Sequence, residues 1–122
     1  MAHSEGIRKE MDLDVALSHV DGDRALLAEL ADLFLQDYPR LIEEMRDSIA
    51  RSDFMGLERG AHTLKGRLAF FGIQRIRDMA LDLEILGRTR DLTEGVRSLH
   101  AIEAEMDKIL PEFKALVPEH DA

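Results

Sequence analysis

The sequence of 122 residues contains no cysteine. That excludes a disulfide framework, cysteine-based metal sites and thiol chemistry, and it fits a reducing compartment. Aromatic residues make up only 5%. β-Branched residues are also sparse, and no stretch alternates apolar and polar positions, so strand signals are missing. No apolar run approaches the length of a membrane span. Positive charge is not in excess: 16 Lys and Arg stand against 25 Asp and Glu, for a net charge of −9. That balance argues against a nucleic-acid partner or an anionic membrane surface. No two histidines stand four apart, so a helical zinc pair is absent and no metal site is expected. No Gly-rich ATP-binding loop is present. There is no internal repeat and no low-complexity tract.

What is there is helix. With 45% hydrophobic and 34% charged residues, the chain is globular and long enough for one core. "DLDVALSH" reads as a short first helix, ended by "DGD" at Asp21–Asp23. In the long segment that follows, Leu26, Leu27, Leu30, Leu33, Phe34, Leu41, Ile42, Met45 and Ile49 recur at helical spacing. Pro39 interrupts it, but the stripe continues on both sides, which predicts one kinked helix. "SDFMGLERGAHTLKGRLAFFG" reads as the next helix, with Asp53 as N-cap and Gly72 just past the end. The fourth helix places Ile73, Ile76, Met79, Ala80, Leu83 and Leu86 on one face, with Gly87 as its stop. "DLTE" starts the last helix in the manner of a capping box, with Asp91 at the cap.

Four long amphipathic segments on short connections predict an all-α fold: an antiparallel up-down-up-down four-helix bundle with a short additional N-terminal helix. The expected organisation is a flexible lead-in over 1–10, the bundle over 11–117 and a polar tail over 118–122. The lead-in lacks the apolar core of a signal peptide, so a cytoplasmic, monomeric protein is expected.

The third helix carries the chemistry. At about 100° per residue, Phe54, Leu57, Ala61, Leu64, Leu68 and Phe71 form its core stripe. His62 falls more than about 90° from the centre of that stripe and faces solvent. Gly66 stands one turn on, over the same face, and Ala69 continues the line. Lys65 lies on the same flank. Glycine inside a helix costs roughly 1 kcal/mol relative to alanine. Here it strips side chains from around one exposed imidazole, so that a second protein can press close. A neutral imidazole nitrogen is a good nucleophile near neutral pH. If it took a phosphoryl group, Lys65 would offset part of the added charge. The remaining histidines, His3, His19, His100 and His120, read as plain surface residues.

"AHTLKG", Gly72 ten residues after His62, and "ALDLEILGR" in the following helix resemble the histidine-containing phosphotransfer domains of two-component phosphorelays. The similarity runs from about Leu13 to about Leu116. It implies a helical bundle whose exposed histidine accepts a phosphoryl group from a receiver-domain aspartate or a sensor or hybrid histidine kinase. The group then passes to the aspartate of a response-regulator receiver, whose own Mg²⁺ assists. The protein itself would need no cofactor and have no ATP-dependent kinase activity. By the resemblance His62 is the phosphoacceptor, Lys65 the phosphoryl-stabilising lysine and Gly66 the residue that opens the site. A polar residue of the next helix should stand beside the histidine. Glu84 and Arg88 are the candidates, on a flank away from the core with Arg77 and Leu81. The chain departs from the family at "RLAFF". Arg67 and Phe70 are not core by the wheel and would bear on receiver choice, with Phe70 either an edge of the core or part of a docking patch. A docking module that binds receiver or kinase without carrying phosphate is the alternative.

Overall fold

The computed structural model describes residues 9–118 and contains five helices: α1 (Leu13–Ser18), α2 (Arg24–Ala50), α3 (Phe54–Phe70), α4 (Gln74–Arg88) and α5 (Leu92–Lys114). No strand occurs among the described residues. Four of the helices begin on an aspartate. Asp12, Asp23, Asp53 and Asp91 each accept a hydrogen bond from a backbone N–H of the first turn, satisfying donors that the helix leaves unpaired.

α3 is capped by Phe71, and Gly72 follows with φ 69°, a left-handed residue where a side chain would be strained. Space also demands glycine there, because an added Cβ would stand 2.7 Å from Asp12 Cβ. The Asp12 N–H donates to the Gly72 carbonyl across that contact, tying α1 to the α3–α4 turn.

α2 packs on α3, α3 on α4, α4 on α5, and α5 back on α2, closing a four-helix ring whose short connections reverse the chain. α2 runs unbroken through Pro39, and α5 through Pro111. Leu57, Leu64, Leu68, Ile76, Leu83, Leu99, Ile102 and Met106 are fully buried in the core. At one end Phe34 stacks on Phe113 with ring centroids 4.4 Å apart, and Phe71 packs edge-on against the same ring. Truncating one of these buried leucines to alanine costs about 2–5 kcal/mol.

Two expectations are corrected. Leu33 and Leu26 belong to the apolar stripe by spacing, yet they are exposed, Leu33 by 57%. α2 closes only part of its apolar arc against the ring, and its outer edge stays open beside α3. Gly87 does not stop α4; the helix runs through it, and Arg90, with φ 63°, makes the left-handed turn. Glu10 falls within the expected lead-in, but its backbone N–H donates to Glu112 and its carboxylate receives Arg75. Residues 1–8 and 119–122, including His3, His120 and most of the polar tail, lie outside the described residues.

Candidate functional site

His62 sits in the middle of α3 on its solvent face, with its side chain 66% exposed. Ala61 and Leu64 on the opposite side are fully buried, so the core stripe fixes which way the imidazole points. An added Cβ at Gly66 would meet nothing within 4 Å. The space over the ring is open, and no neighbouring helix requires the glycine. Ala69, further along, is also exposed.

Glu84 is where the structure departs most from the helical wheel. The wheel puts it on a flank away from the core, yet it is buried, at 6% exposure. α4 lies so close to α3 that the residue facing the neighbouring helix is covered although it does not face the centre of the bundle. Its carboxylate has three partners. Oε2 accepts from His62 Nδ1 at 3.1 Å, Lys65 Nζ lies 2.8 Å from Oε1, and Arg88 Nη2 is 3.4 Å from Oε2. The Lys65 ammonium holds the Glu84 carboxyl below the ordinary glutamate value, against the opposing effect of burial, with the His62 hydrogen bond adding to it. An ionised carboxylate only accepts hydrogen bonds, so His62 Nδ1 carries a proton, and in the neutral ring it is Nε2 that holds the free lone pair.

Lys65 is placed beside His62 as expected, but it is half-buried and engaged with Glu84 rather than free on the surface. Arg88 is exposed and bridges two carboxylates, donating from Nε to Glu58 at 3.1 Å as well as approaching Glu84. Glu58 and His62 stand one turn apart on α3, and Arg88 and Glu84 one turn apart on α4. The four form two rungs of one antiparallel seam.

On the other side of His62, α2 and α3 enclose an open groove of about 840 Å³. Its walls are Leu30, Leu33, Phe34, Phe70 and Phe71, with Gly66 and His62 on its rim. Arg67 pairs with Asp37 across this groove, and Arg40 shares the same aspartate. The Arg67 hydrogen bond is the main cause that keeps the Asp37 carboxyl below its ordinary range. Phe70 is half-buried and stacks on His19 with ring centroids 4.9 Å apart. His19 Nδ1 also donates to the Phe70 carbonyl at 2.9 Å, so this histidine pins the end of α3 rather than standing free. Sequence reasoning gave Leu33, Asp37 and His19 no part in the site. The signal that could have found Leu33 is that the α2 stripe is wider than one neighbouring helix can cover.

Among the described residues, no cluster of three His, Asp or Glu side chains is placed to hold a metal. No helix of the described chain is long and apolar enough to cross a membrane.

A helical bundle with a bare, reachable imidazole on one helix and a carboxylate–ammonium pair behind it has the form of a phosphotransfer module. The Hpt domain model matches residues 29–112, and the chain belongs to that family of histidine-containing phosphotransfer domains. The chain is 22% identical over 109 residues to the phosphorelay intermediate protein rdeA of Dictyostelium discoideum; the match covers 87% of this chain but only 43% of that protein. The chain thus spans less than half the length of that curated relative. The fold is similar to the crystal structure of histidine-containing phosphotransfer protein B of Pseudomonas aeruginosa. The TM-score is 0.79 at 21% identity, covering 87% of this chain and 92% of that one.

Proposed function

We propose that the protein is a phosphohistidine carrier of a cytoplasmic phosphorelay. It receives a phosphoryl group on His62 from a receiver aspartate or a histidine kinase and passes it to the aspartate of a response-regulator receiver. The observation that carries this reading is the His62–Glu84 hydrogen bond of 3.1 Å beneath an open helix face.

The step follows from that geometry. The Nε2 lone pair attacks phosphorus while the P–O bond to the donor carboxylate breaks, returning that carboxylate as the leaving group. The proton stays on Nδ1. The ring gains positive character as the N–P bond forms, and the fixed Glu84 carboxylate stabilises it without having to reorganise. Lys65 keeps Glu84 ionised, and together with Arg88 it offsets the repulsion between that carboxylate and the incoming phosphoryl oxygens. Phosphoryl transfer depends mainly on positioning and electrostatics. The receiver supplies Mg²⁺, and this chain supplies a nucleophile held at a fixed orientation. The apolar groove between α2 and α3 is the docking surface for the receiver, with Arg67 and Phe70 contributing to the choice of partner. The carrier acts as a monomer, and no nucleic acid takes part.

Incubation with a phosphorylated receiver and Mg²⁺ should give acid-labile, base-stable label on the protein, and His62→Gln should remove it. Label retained in that variant overturns the assignment of His62. Tight receiver binding without any label would make the protein a docking module instead.

A further inference from the structure

α4 carries a glycine, Gly87, inside its last turns. Helix stability favours alanine there by roughly 1 kcal/mol. Packing forbids it. A Cβ at position 87 would stand 2.8 Å from Glu58 N, 3.0 Å from Glu58 Cα and 3.2 Å from Glu58 Cβ. Backbone atoms of α3 cannot swing aside as a side-chain tip can, so a methyl group at this point has to move one helix away from the other.

That contact lies one turn from the reactive pair. Glu84 precedes Gly87 by three residues on α4, and His62 follows Glu58 by four on α3. The separation of the two backbones at Gly87 therefore sets their separation at Glu84. The Glu84–His62 bond is 3.1 Å long, towards the upper end of the range for an N–H···O bond. Relieving a carbon–carbon approach of 3.0 Å to an ordinary contact of about 3.5 Å shifts α4 by roughly half an ångström, which carries Glu84 out of reach.

We propose that Gly87 is a positioning residue for phosphoryl transfer: by letting α4 touch the α3 backbone at Glu58, it holds the Glu84 carboxylate against His62 Nδ1 and so keeps Nε2 as the free nucleophile. This deepens the reading of His62 as phosphoacceptor and rests on it. Arg88 closes the same seam from the surface, through Glu58 and Glu84.

The test reads the histidine itself. Ring ¹⁵N shifts of His62 are measured for the native chain, Gly87→Ala, Glu84→Asp and Gly95→Ala, with initial rates of labelling from one phosphorylated receiver. The native ring should be held with the proton on Nδ1. Gly87→Ala should shift the ring towards the Nε2-protonated form and slow labelling by roughly 10- to 100-fold, while receiver affinity holds. Glu84→Asp withdraws the same carboxylate by one methylene without touching the helix contact, and it should give the same shift even if Gly87→Ala fails to fold. Gly95→Ala adds a methyl on α5 that meets only the tip of Leu57, at 3.4 Å, and should leave the ring unchanged. A native-like tautomer and rate in folded Gly87→Ala, or a native-like tautomer in Glu84→Asp, overturns the proposal. If the tautomer shifts as expected but even the native chain takes no label from any receiver, the phosphotransfer reading fails and only the hold of Gly87 on the His62 ring stands.

Discussion

Nδ1 of His62 stands 3.1 Å from Oε2 of Glu84, and the same carboxylate stands 2.8 Å from the ammonium of Lys65. One buried acid thus orients the imidazole and is itself kept ionised by the lysine. The contributions of the three side chains are coupled, and removing any one changes what the other two do.

The first prediction concerns the oxygen rather than the charge. Glu84→Gln retains an oxygen that accepts from Nδ1, whereas Glu84→Ala retains nothing. Labelling of Glu84→Ala from a phosphorylated receiver should slow by about 10²-fold or more, and Glu84→Gln should lose much less. Equal rates in the alanine variant and the native chain would remove Glu84 from the mechanism.

Lys65→Ala tests the other side of the pair. With the ammonium gone, burial acts on Glu84 with less to oppose it, and its pKa should rise from below the ordinary glutamate value towards or above it. Transfer should slow, and the circular dichroism spectrum should remain helical. A carboxyl ¹³C titration of Glu84 that does not move shows that Lys65 is not what holds it.

Much of this arrangement is readable from the chain, and the parts that are not share one cause. Spacing alone places His62 on the solvent face, since Ala61, Leu64 and Leu68 define the core stripe one-dimensionally. Aspartate caps at Asp53 and Asp91 are equally local. Glu84 is not local: its burial depends on how near α3 comes, and a helical wheel carries no information about neighbour distance. Gly87, read as a helix stop, was the trace of that close approach. Leu33 errs in the opposite direction. Its spacing matches the core stripe, but α2 has more apolar arc than its neighbours cover.

Acid should weaken the fold in a stated direction. The carboxyls of Glu84, Asp37 and Glu105 are all held below their ordinary values, chiefly by the cationic side chains of Lys65, Arg67 and Arg75 respectively. The folded state then binds fewer protons than the unfolded chain between the two sets of values. Their stabilisation is complete above the unfolded pKa of about 4 and is lost as pH falls through the folded values. Urea midpoints should drop steeply below about pH 4. Glu84→Gln, with one fewer such group, should drop less steeply. A slope identical to the native one shows that Glu84 contributes no pH dependence.

The groove between α2 and α3 gives a prediction that separates docking from chemistry. Leu33 is largely exposed and stands on α2, outside the α3–α4 seam that holds His62 and Glu84, so Leu33→Lys should change stability by no more than about 0.5 kcal/mol. It places a solvated charge in an apolar wall, which should raise the receiver concentration needed for half-maximal transfer by about tenfold while the saturated rate holds. A fall in the saturated rate at unchanged half-saturation would place Leu33 in the chemistry and not in docking.

Gly66 separates two kinds of access. An added side chain there meets nothing within 4 Å, so the fold does not require the glycine. Gly66→Gln should raise stability by roughly 0.5–1 kcal/mol, because it replaces the poorest exposed helix former other than proline with a good one. It also puts a flexible amide one turn from the imidazole, across the path along which a protein partner must approach. Labelling by a phosphorylated receiver should therefore fall by about 10²-fold, since a misplacement of about 1 Å at the reacting atoms has that effect. A small donor such as phosphoramidate needs only a narrow approach to Nε2, and its reaction with His62 should stay within about threefold of native, well short of the loss set by misplacement. If both donors fail together, the glutamine is disturbing the ring itself. If both succeed, the bare face over His62 is not what admits the receiver, and the glycine has no functional reason to be there.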